Sequence, residues 1–286
     1  MSLKTSQPDK TLSFKNFEFD FSKKIYIMGV LNITPDSFSD GGMFFDKDRA
    51  VGRALQMARD GADIIDIGGE STRPGSNPVG AEEELKRVIP VIEALAVELN
   101  IPISIDTHKP EVAREAVRRG ASIINNIMGS DLDRGMAAVA AEFDVPIVLM
   151  HIKGEPRTMQ ANPVYDDLIG EIISALLGSI AVARECGVDA EKIIIDPGIG
   201  FGKTARHNLE IIKRLKELKI LGRPILIGPS RKAFIGKVLG IDSPAERLMG
   251  TAAAVAISAA NGADIVRVHD VKEMAEVVRL TEAIYR

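Results

Sequence analysis

Ile101-Pro102-Ile103-Ser104-Ile105-Asp106-Thr107-His108-Lys109-Pro110 is a short apolar run that turns polar at its carboxyl end and then meets a proline. Pro110 opens a helical pattern over Glu111–Arg119 that Gly120 closes, since proline is favoured at a helix start and glycine just past its end. A β-branched run too short for a helix, set between helical patterns, reads as a buried parallel strand. An acid at the tip of such a strand is where α/β barrels and open sheets carry chemistry. The rest of the chain repeats this unit.

Working outward, eight apolar runs appear: Ile25–Val30, Ile64–Ile67, Ile101–Ile105, Ser122–Ile127, Pro146–Met150, Lys192–Ile195, Pro224–Ile227 and Ile265–Val268. Helical patterns lie between them, among them Asp48–Asp60, Ala81–Leu99, Tyr165–Cys186, Ala205–Leu218 and Pro244–Asn261, with Val271–Tyr285 as the last. Eight strands alternating with helices is the count for an α/β fold of one (β/α)8 TIM barrel. A doubly wound sheet usually has fewer strands and a glycine fingerprint after its first, which is missing here. Ahead of the barrel, Leu12–Phe21 alternates apolar and polar residues around Lys15-Asn16, the pattern of an N-terminal β-hairpin. In a barrel it would cover the bottom opening.

At 286 residues and 45% hydrophobic content there is ample material for one large core, and barrels of this length are routinely single domains. The net charge of −4 argues against nucleic acid as a partner, which would need a basic face. Cys186 is the only cysteine, so an intrachain disulfide and a thiolate metal site are both excluded. No apolar run reaches membrane-spanning length, and the opening MSLKTSQPDK is polar rather than a signal peptide. The expectation is a cytoplasmic protein with no membrane association.

The unusual residues sit at the carboxyl ends of the runs. They are Asn32–Gly42, Gly68–Gly75, Asp106, Asn125-Asn126, His151, Asp196–Lys203, Ser230-Arg231-Lys232 and Arg267–Asp270. A closed barrel would ring one mouth with them. The first two loops are long and glycine-rich, as lids tend to be. Asp196–Thr204 (DPGIGFGKT) ends like a phosphate loop, but Pro197 stands where a glycine is required, and Lys203 breaks the dinucleotide pattern. None of the histidines 108, 151, 207 and 269 is spaced for a helix-borne zinc site. His269 shares a strand face with Arg267 by the period-two rule, so both could point into the mouth and hold an anion. Asp106, Asn125, Asp196 and Lys232 place two carboxylates, an amide and an ammonium above an apolar floor. A carboxylate accepts two parallel hydrogen bonds from an amino–imino edge, such as that of guanine or a pterin. The plainer alternative is a set of ion pairs that neutralise one another. Residue chemistry alone thus reaches a barrel that binds a polar planar or anionic small molecule.

Met28–Gly42 (MGVLNITPDSFSDGG), Asp66–Gly75 (DIGGESTRPG), Ser104–Thr107, His151–Asp166, Asp196–Lys203, Ser230–Lys232 and Arg267–Val271 together, and in this order, resemble the dihydropteroate synthase family of pterin-binding barrels over nearly the whole chain. The resemblance implies residues 1–22 as an N-terminal extension and hairpin and residues 23–286 as the pterin-binding barrel. It implies condensation of 6-hydroxymethyl-7,8-dihydropterin diphosphate with p-aminobenzoate to give 7,8-dihydropteroate and pyrophosphate, in a homodimer that is a sulfonamide target. By the same resemblance Asp106, Asn125, Asp196, Lys232 and Arg267 would bind the pterin, with Asp106, Lys232 and Arg267 catalytic. Asn32, Arg73, Arg267 and His269 would hold the diphosphate, Mg²⁺ would sit on it at Asn32, and Phe38, Thr72, Pro74, Phe201, Lys232 and Ala233 would frame p-aminobenzoate. Two departures stand out: Asn126 where aspartate is expected, and Ala233 where many members carry serine. The competing expectations are a methyltetrahydrofolate–corrinoid methyltransferase, which has no need of Thr72-Arg73-Pro74 or a diphosphate clamp, and a pterin-binding barrel without turnover.

Overall fold

The computed structural model describes residues 11–33, 43–70, 78–127, 134–154 and 158–285. Two short strands, β1 (Thr11–Phe14) and β2 (Phe17–Asp20), pair antiparallel across Lys15-Asn16, with Lys15 in the left-handed region. Eight more strands follow: β3 (Tyr26–Asn32), β4 (Ile64–Gly68), β5 (Ile103–Asp106), β6 (Ile123–Asn126), β7 (Ile147–Met150), β8 (Ile193–Asp196), β9 (Leu226–Ile227) and β10 (Ile265–Val268). They form one parallel sheet in the order β8-β7-β6-β5-β4-β3-β10-β9. The two ends meet where Ile195 bridges Ile225 and its N–H donates to the Pro224 carbonyl at 3.0 Å, so the barrel closes. The helices are α1 (Met43–Arg59), α2 (Ala81–Glu98), α3 (Pro110–Arg118), α4 (Arg134–Phe143), α5 (Leu168–Glu185), α6 (Ala205–Arg214), α7 (Ala233–Leu239), α8 (Leu248–Ala260) and α9 (Val271–Tyr285).

The barrel strands are buried on both faces, which is why their sequences are nearly continuous apolar runs. Ile65, Ile67, Ile105, Ile124, Leu149, Ile195 and Val268 pack outward in the core shared with the helices. Alternate residues point inward, and at the lower end Met28, Ile64, Ile123, Val148, Ile194, Leu226 and Ile265 form a second apolar cluster. Leu12, Phe14, Phe19 and Phe21 of the hairpin join that cluster, with Phe19 stacked on Tyr26 at 4.2 Å between ring centroids. The hairpin thus stoppers the base, and Lys15 ties it there by donating to the Ala121 carbonyl at 2.7 Å.

Two long helical patterns are interrupted. Beyond Arg214 the chain tightens into a 3-10 turn over Leu215–Leu221, closed by Gly222 at φ +63°. That turn buries Leu215, Leu218 and Leu221, and the spacing of three matches a helix of 3.0 residues per turn, not 3.6. Pro244–Glu246 is likewise a separate 3-10 turn ahead of α8. Arg247, buried at the break, donates to the carbonyls of Ile241, Asp242 and Arg231.

Candidate active site

One period-two step up from the apolar floor, or two on β3, the inward positions turn polar. The registers Asn32↔Gly68, Gly68↔Asp106 and Asp106↔Asn125 set four neighbouring strands level, so these residues form one row at the mouth. Gly68 leaves the space between its neighbours open: a Cβ there would lie 3.6 Å from Asn32 Oδ1 and 3.7 Å from Asp106 Oδ2. One step below Gly68 on β4 is Asp66, fully buried.

Arg267 reaches across from β10 and joins these carboxylates, donating from Nε to Asp66 Oδ2 and from Nη2 to Asp106 Oδ2, both at 2.6 Å. Asp66 Oδ2 also accepts from the Asn125 side-chain amide at 3.0 Å. Asp66 thus fixes the cation and the amide together. Its Oδ1 and that of Asp106 are buried with no protein partner, and such unpaired acceptors are costly unless a ligand supplies donors. Burial pushes the Asp106 carboxyl up to about 7, Arg267 opposing and Asp66 and Glu84 adding to the rise. Burial works against the Arg267 charge too, but the carboxylates of Asp66 and Asp106 outweigh it and raise its pKa.

Across the mouth, Asp196 at the tip of β8 is raised by burial, against the Gly198 N–H, which donates to its Oδ1 at 2.7 Å, and against Lys232, Lys203 and Arg267. Lys232 caps the start of α7, donates to the Ile199 carbonyl at 2.8 Å and lies 4.3 Å from the Phe201 ring centroid. Burial lowers its pKa to about 8, with Arg267 adding and Asp196 and Asp106 opposing. Phe201, Ile127, Met150, Ile152 and Met159 form a small apolar cluster beside it. A flat ring between that cluster and the carboxylates would meet apolar surface on its face and acceptors on its edge.

His269 places Nδ1 3.0 Å from Ser230 Oγ, and its backbone N–H donates to the same oxygen at 3.2 Å. Burial, then Arg267 and Arg231, hold its pKa down at about 3, against Asp270. The pair expected to hold an anion therefore starts as a neutral imidazole beside a guanidinium already engaged by two carboxylates. The neutralising partner of Asp106 is Arg267.

The structure brings Asn32, Asp106, Asn125, Asp196, Phe201, Lys232, Arg267 and His269 to one end of the barrel. Ala233 is the first residue of α7, directly after Lys232. Arg73, Phe38, Thr72 and Pro74 lie outside the described residues, as do all of 34–42 and 71–77. Asn126 is buried on the opposite strand face from Asn125. His207 closes a capping box with Thr204, and His108 stands beside Glu70 at 3.3 Å. Sequence reasoning gave no role to Asp66; its signal was an acid inside an apolar strand run. It also passed over Lys203, which is 2% exposed and meets His151 Nδ1 at 2.9 Å. Among the described residues, no three His, Cys, Asp or Glu side chains form a metal cluster. The hard side-chain oxygen of Asn32 beside the open Gly68 position suits Mg²⁺, which takes few protein ligands and completes its shell with phosphate and water.

A family model described as pterin binding enzyme matches residues 28–269. A dihydropteroate synthase of Synechocystis is 52% identical over 268 residues, covering 94% of this chain and 93% of that protein. Among solved structures, a Yersinia pestis dihydropteroate synthase in complex with a sulfonamide drug superposes with a TM-score of 0.90 at 42% identity, covering 96% of this chain and 98% of that one. A Xanthomonas albilineans dihydropteroate synthase with 4-aminobenzoic acid gives 0.90 at 41% identity and the same coverage.

Proposed function

The chain belongs to the dihydropteroate synthase family of pterin-binding enzymes, and from that premise we propose how its mouth divides the work. The reaction joins the methylene of 6-hydroxymethyl-7,8-dihydropterin diphosphate to the amine of p-aminobenzoate. The C–O bond to the diphosphate breaks, its electron pair leaves with pyrophosphate, and the amine nitrogen forms the new C–N bond and releases a proton. This is the transferase step of folate synthesis. Relatives at this identity set aside the corrinoid methyltransferase and the barrel without turnover.

Asp196 accepts from the amino–imino edge of the pterin, and Asn125 and Lys232 serve the remaining ring nitrogens and carbonyl. Arg267 faces the ring and, with His269, Asn32 and Arg73, holds the diphosphate. Phe201, Lys232 and the start of α7 frame p-aminobenzoate together with Phe38, Thr72 and Pro74, and Ala233 leaves its carboxylate to backbone N–H groups. Mg²⁺ at Asn32 would neutralise charge on the leaving diphosphate. Asp106 stands where positive charge develops on the methylene. The observation that carries this division is the Asp66–Arg267–Asp106 bridge with its two unpartnered carboxylate oxygens.

Pyrophosphate release should require both substrates and Mg²⁺, and chelation that leaves the rate unaltered would remove the metal from Asn32. Asp196→Ala should weaken a pterin analogue in calorimetry by about 2–3 kcal/mol, the range for a hydrogen bond to a charged group. Unchanged affinity would move recognition to another acid. The homodimer rests on apolar side chains left exposed on α8 and α9, Met249 at 78% and Leu280 at 66% among them. A monomer in sedimentation at micromolar concentration would overturn it. The single half-buried Cys186 suits a reducing cytoplasm, and fractionation would test that location.

A further inference from the structure

We propose that the buried contact between Lys203 and His151 is a cross-tie that positions the Phe201 wall and keeps an ammonium behind Asp196 on the acid side of neutrality. The inference rests on the assignment of Asp196 to the pterin and Phe201 to p-aminobenzoate. Lys203 Nζ donates to His151 Nδ1 at 2.9 Å, to the Phe201 carbonyl at 2.9 Å and to the His151 carbonyl at 3.3 Å. All three ammonium hydrogens are therefore used, and they join the segment after β7 to the loop after β8. Burying an ammonium is a poor route to stability, because an apolar side chain of similar volume would fill the space without desolvation. The expense points to a task.

The loop it ties is laid backbone against backbone. Gly198 and Gly202 have φ of +70° and +61°, and a Cβ on either would overlap the carbonyl of His151 or Lys153. Gly200 N–H donates to Asn208 Oδ1 at 2.7 Å, and Tyr165 Oη donates to the Gly202 carbonyl at 2.9 Å. These contacts hold the rim of the loop. Lys203 alone among them grips the carbonyl of Phe201 itself, whose ring lies against Lys232. Loss of the tie frees the aromatic wall while leaving the loop's outer fastenings.

Lys203 also acts on the Asp196 carboxylate through its charge. The groups facing that carboxylate are Lys232 from α7, Arg267 from β10 and Lys203 from its own loop. Burial first, then Lys232, lowers Lys203 to about 7, and Asp196 opposes. His151 stays neutral because burial, Lys203 and Lys153 hold it at about 3, with Glu171 opposing, so its Nδ1 accepts from the ammonium. Without Lys203 one counter-charge behind Asp196 is gone, and its carboxyl protonates at higher pH.

Lys203→Met and His151→Gln, made in the full chain, separate the two roles. Lys203→Met should raise KM for p-aminobenzoate about tenfold with a smaller change in kcat. It should also move the acid limb of binding of a non-reactive pterin, followed by calorimetry from pH 5 to 8, upward by about half a unit or more. His151→Gln keeps the ammonium, so it should raise KM while the acid limb stays in place. If Lys203→Met does not fold, Lys203→Gln, polar but uncharged, is read for the acid limb instead. An unmoved KM and acid limb with only a lowered melting temperature would make Lys203 a core residue and end the proposal. Asp196→Asn, measured alongside, keeps the two failures apart. Pterin affinity retained in that variant defeats the site assignment, whereas affinity lost there but untouched in the Lys203 variants defeats the cross-tie alone.

Discussion

Asp106 and Asp66 share one guanidinium, yet their consequences differ. If the diphosphate departs before the amine attacks, the pterin methylene carries positive charge, and a fixed carboxylate stabilises a charge absent from the ground state. Only such differential interactions raise kcat. A charge pair at 4 Å is worth about 1 kcal/mol in water and about 4 at an effective dielectric of 20. Asp106→Asn should therefore slow kcat by about 10²–10³, the range for losing one preorganised electrostatic group, with affinity for a pterin analogue changed far less. A kcat within a few-fold of wild type dismisses the electrostatic role, and an equal collapse of affinity reassigns Asp106 to binding. Asp66 lies a layer deeper and orients both Arg267 and Asn125. Asp66→Asn should cost about 3 kcal/mol in urea unfolding, as breaking a buried pair does, and should raise KM for the pterin diphosphate. Wild-type stability with an unchanged KM would make it a bystander. Asp106 was legible because it ends its apolar run, whereas Asp66 sits inside one and reads as a defect in a strand until the register is known.

At the scale of elements, the short parallel strands declared themselves because each is a β-branched run with a polar tip, and the tip is the functional part. Helix breaks were less visible: over Leu215–Leu221 a period of three and one of 3.6 diverge by too little to separate in sequence. The hairpin was visible as an alternation, and its task follows from where its aromatic face lands. Phe19 is 5% exposed against Tyr26 and the lower apolar cluster, at the end of the barrel remote from Asp106. Phe19→Ala should destabilise unfolding by about 3–5 kcal/mol, as buried Phe truncations do, while KM for either substrate and kcat stay within about twofold at a temperature where the variant is folded. A selective loss of pterin affinity would show that the stopper reaches the mouth. Arg73, Phe38, Thr72 and Pro74 were named only through motif resemblance, since their stretches of sequence carry no periodicity that could aim them.

For the molecule as a whole, the closed barrel collects ionisable groups from separate strands into one desolvated mouth, and pH acts on them in opposing directions. His269 and His151 are depressed to about 3 by burial, whereas Asp106 is raised to about 7 by burial. A base whose folded pKa lies below its unfolded value of about 6.5 is bound more tightly by protons when unfolded. Its contribution is therefore intact above about pH 6.5 and is lost as pH falls below it. A carboxyl raised above its unfolded value of about 3.9 does the reverse, because the folded state holds the proton better and stability is lost as pH rises from about 4 to 7. Each group contributes a slope of up to about 1.4 kcal/mol per pH unit in its window, so the bare stability curve mixes opposing terms. Differences between proteins separate them. Subtracting the urea-unfolding free energy of wild type from that of His269→Asn should give a difference that grows in favour of the variant as pH drops from 6.5 to 4.5. The same subtraction for Asp106→Asn should grow in favour of its variant as pH rises from 4.5 to 7. Parallel, flat differences in both would mean that the mouth is hydrated well enough to leave these groups near their solution values. The arrangement of Asp66, Arg267 and Asp106 would then be held by packing of the barrel, with desolvation contributing little.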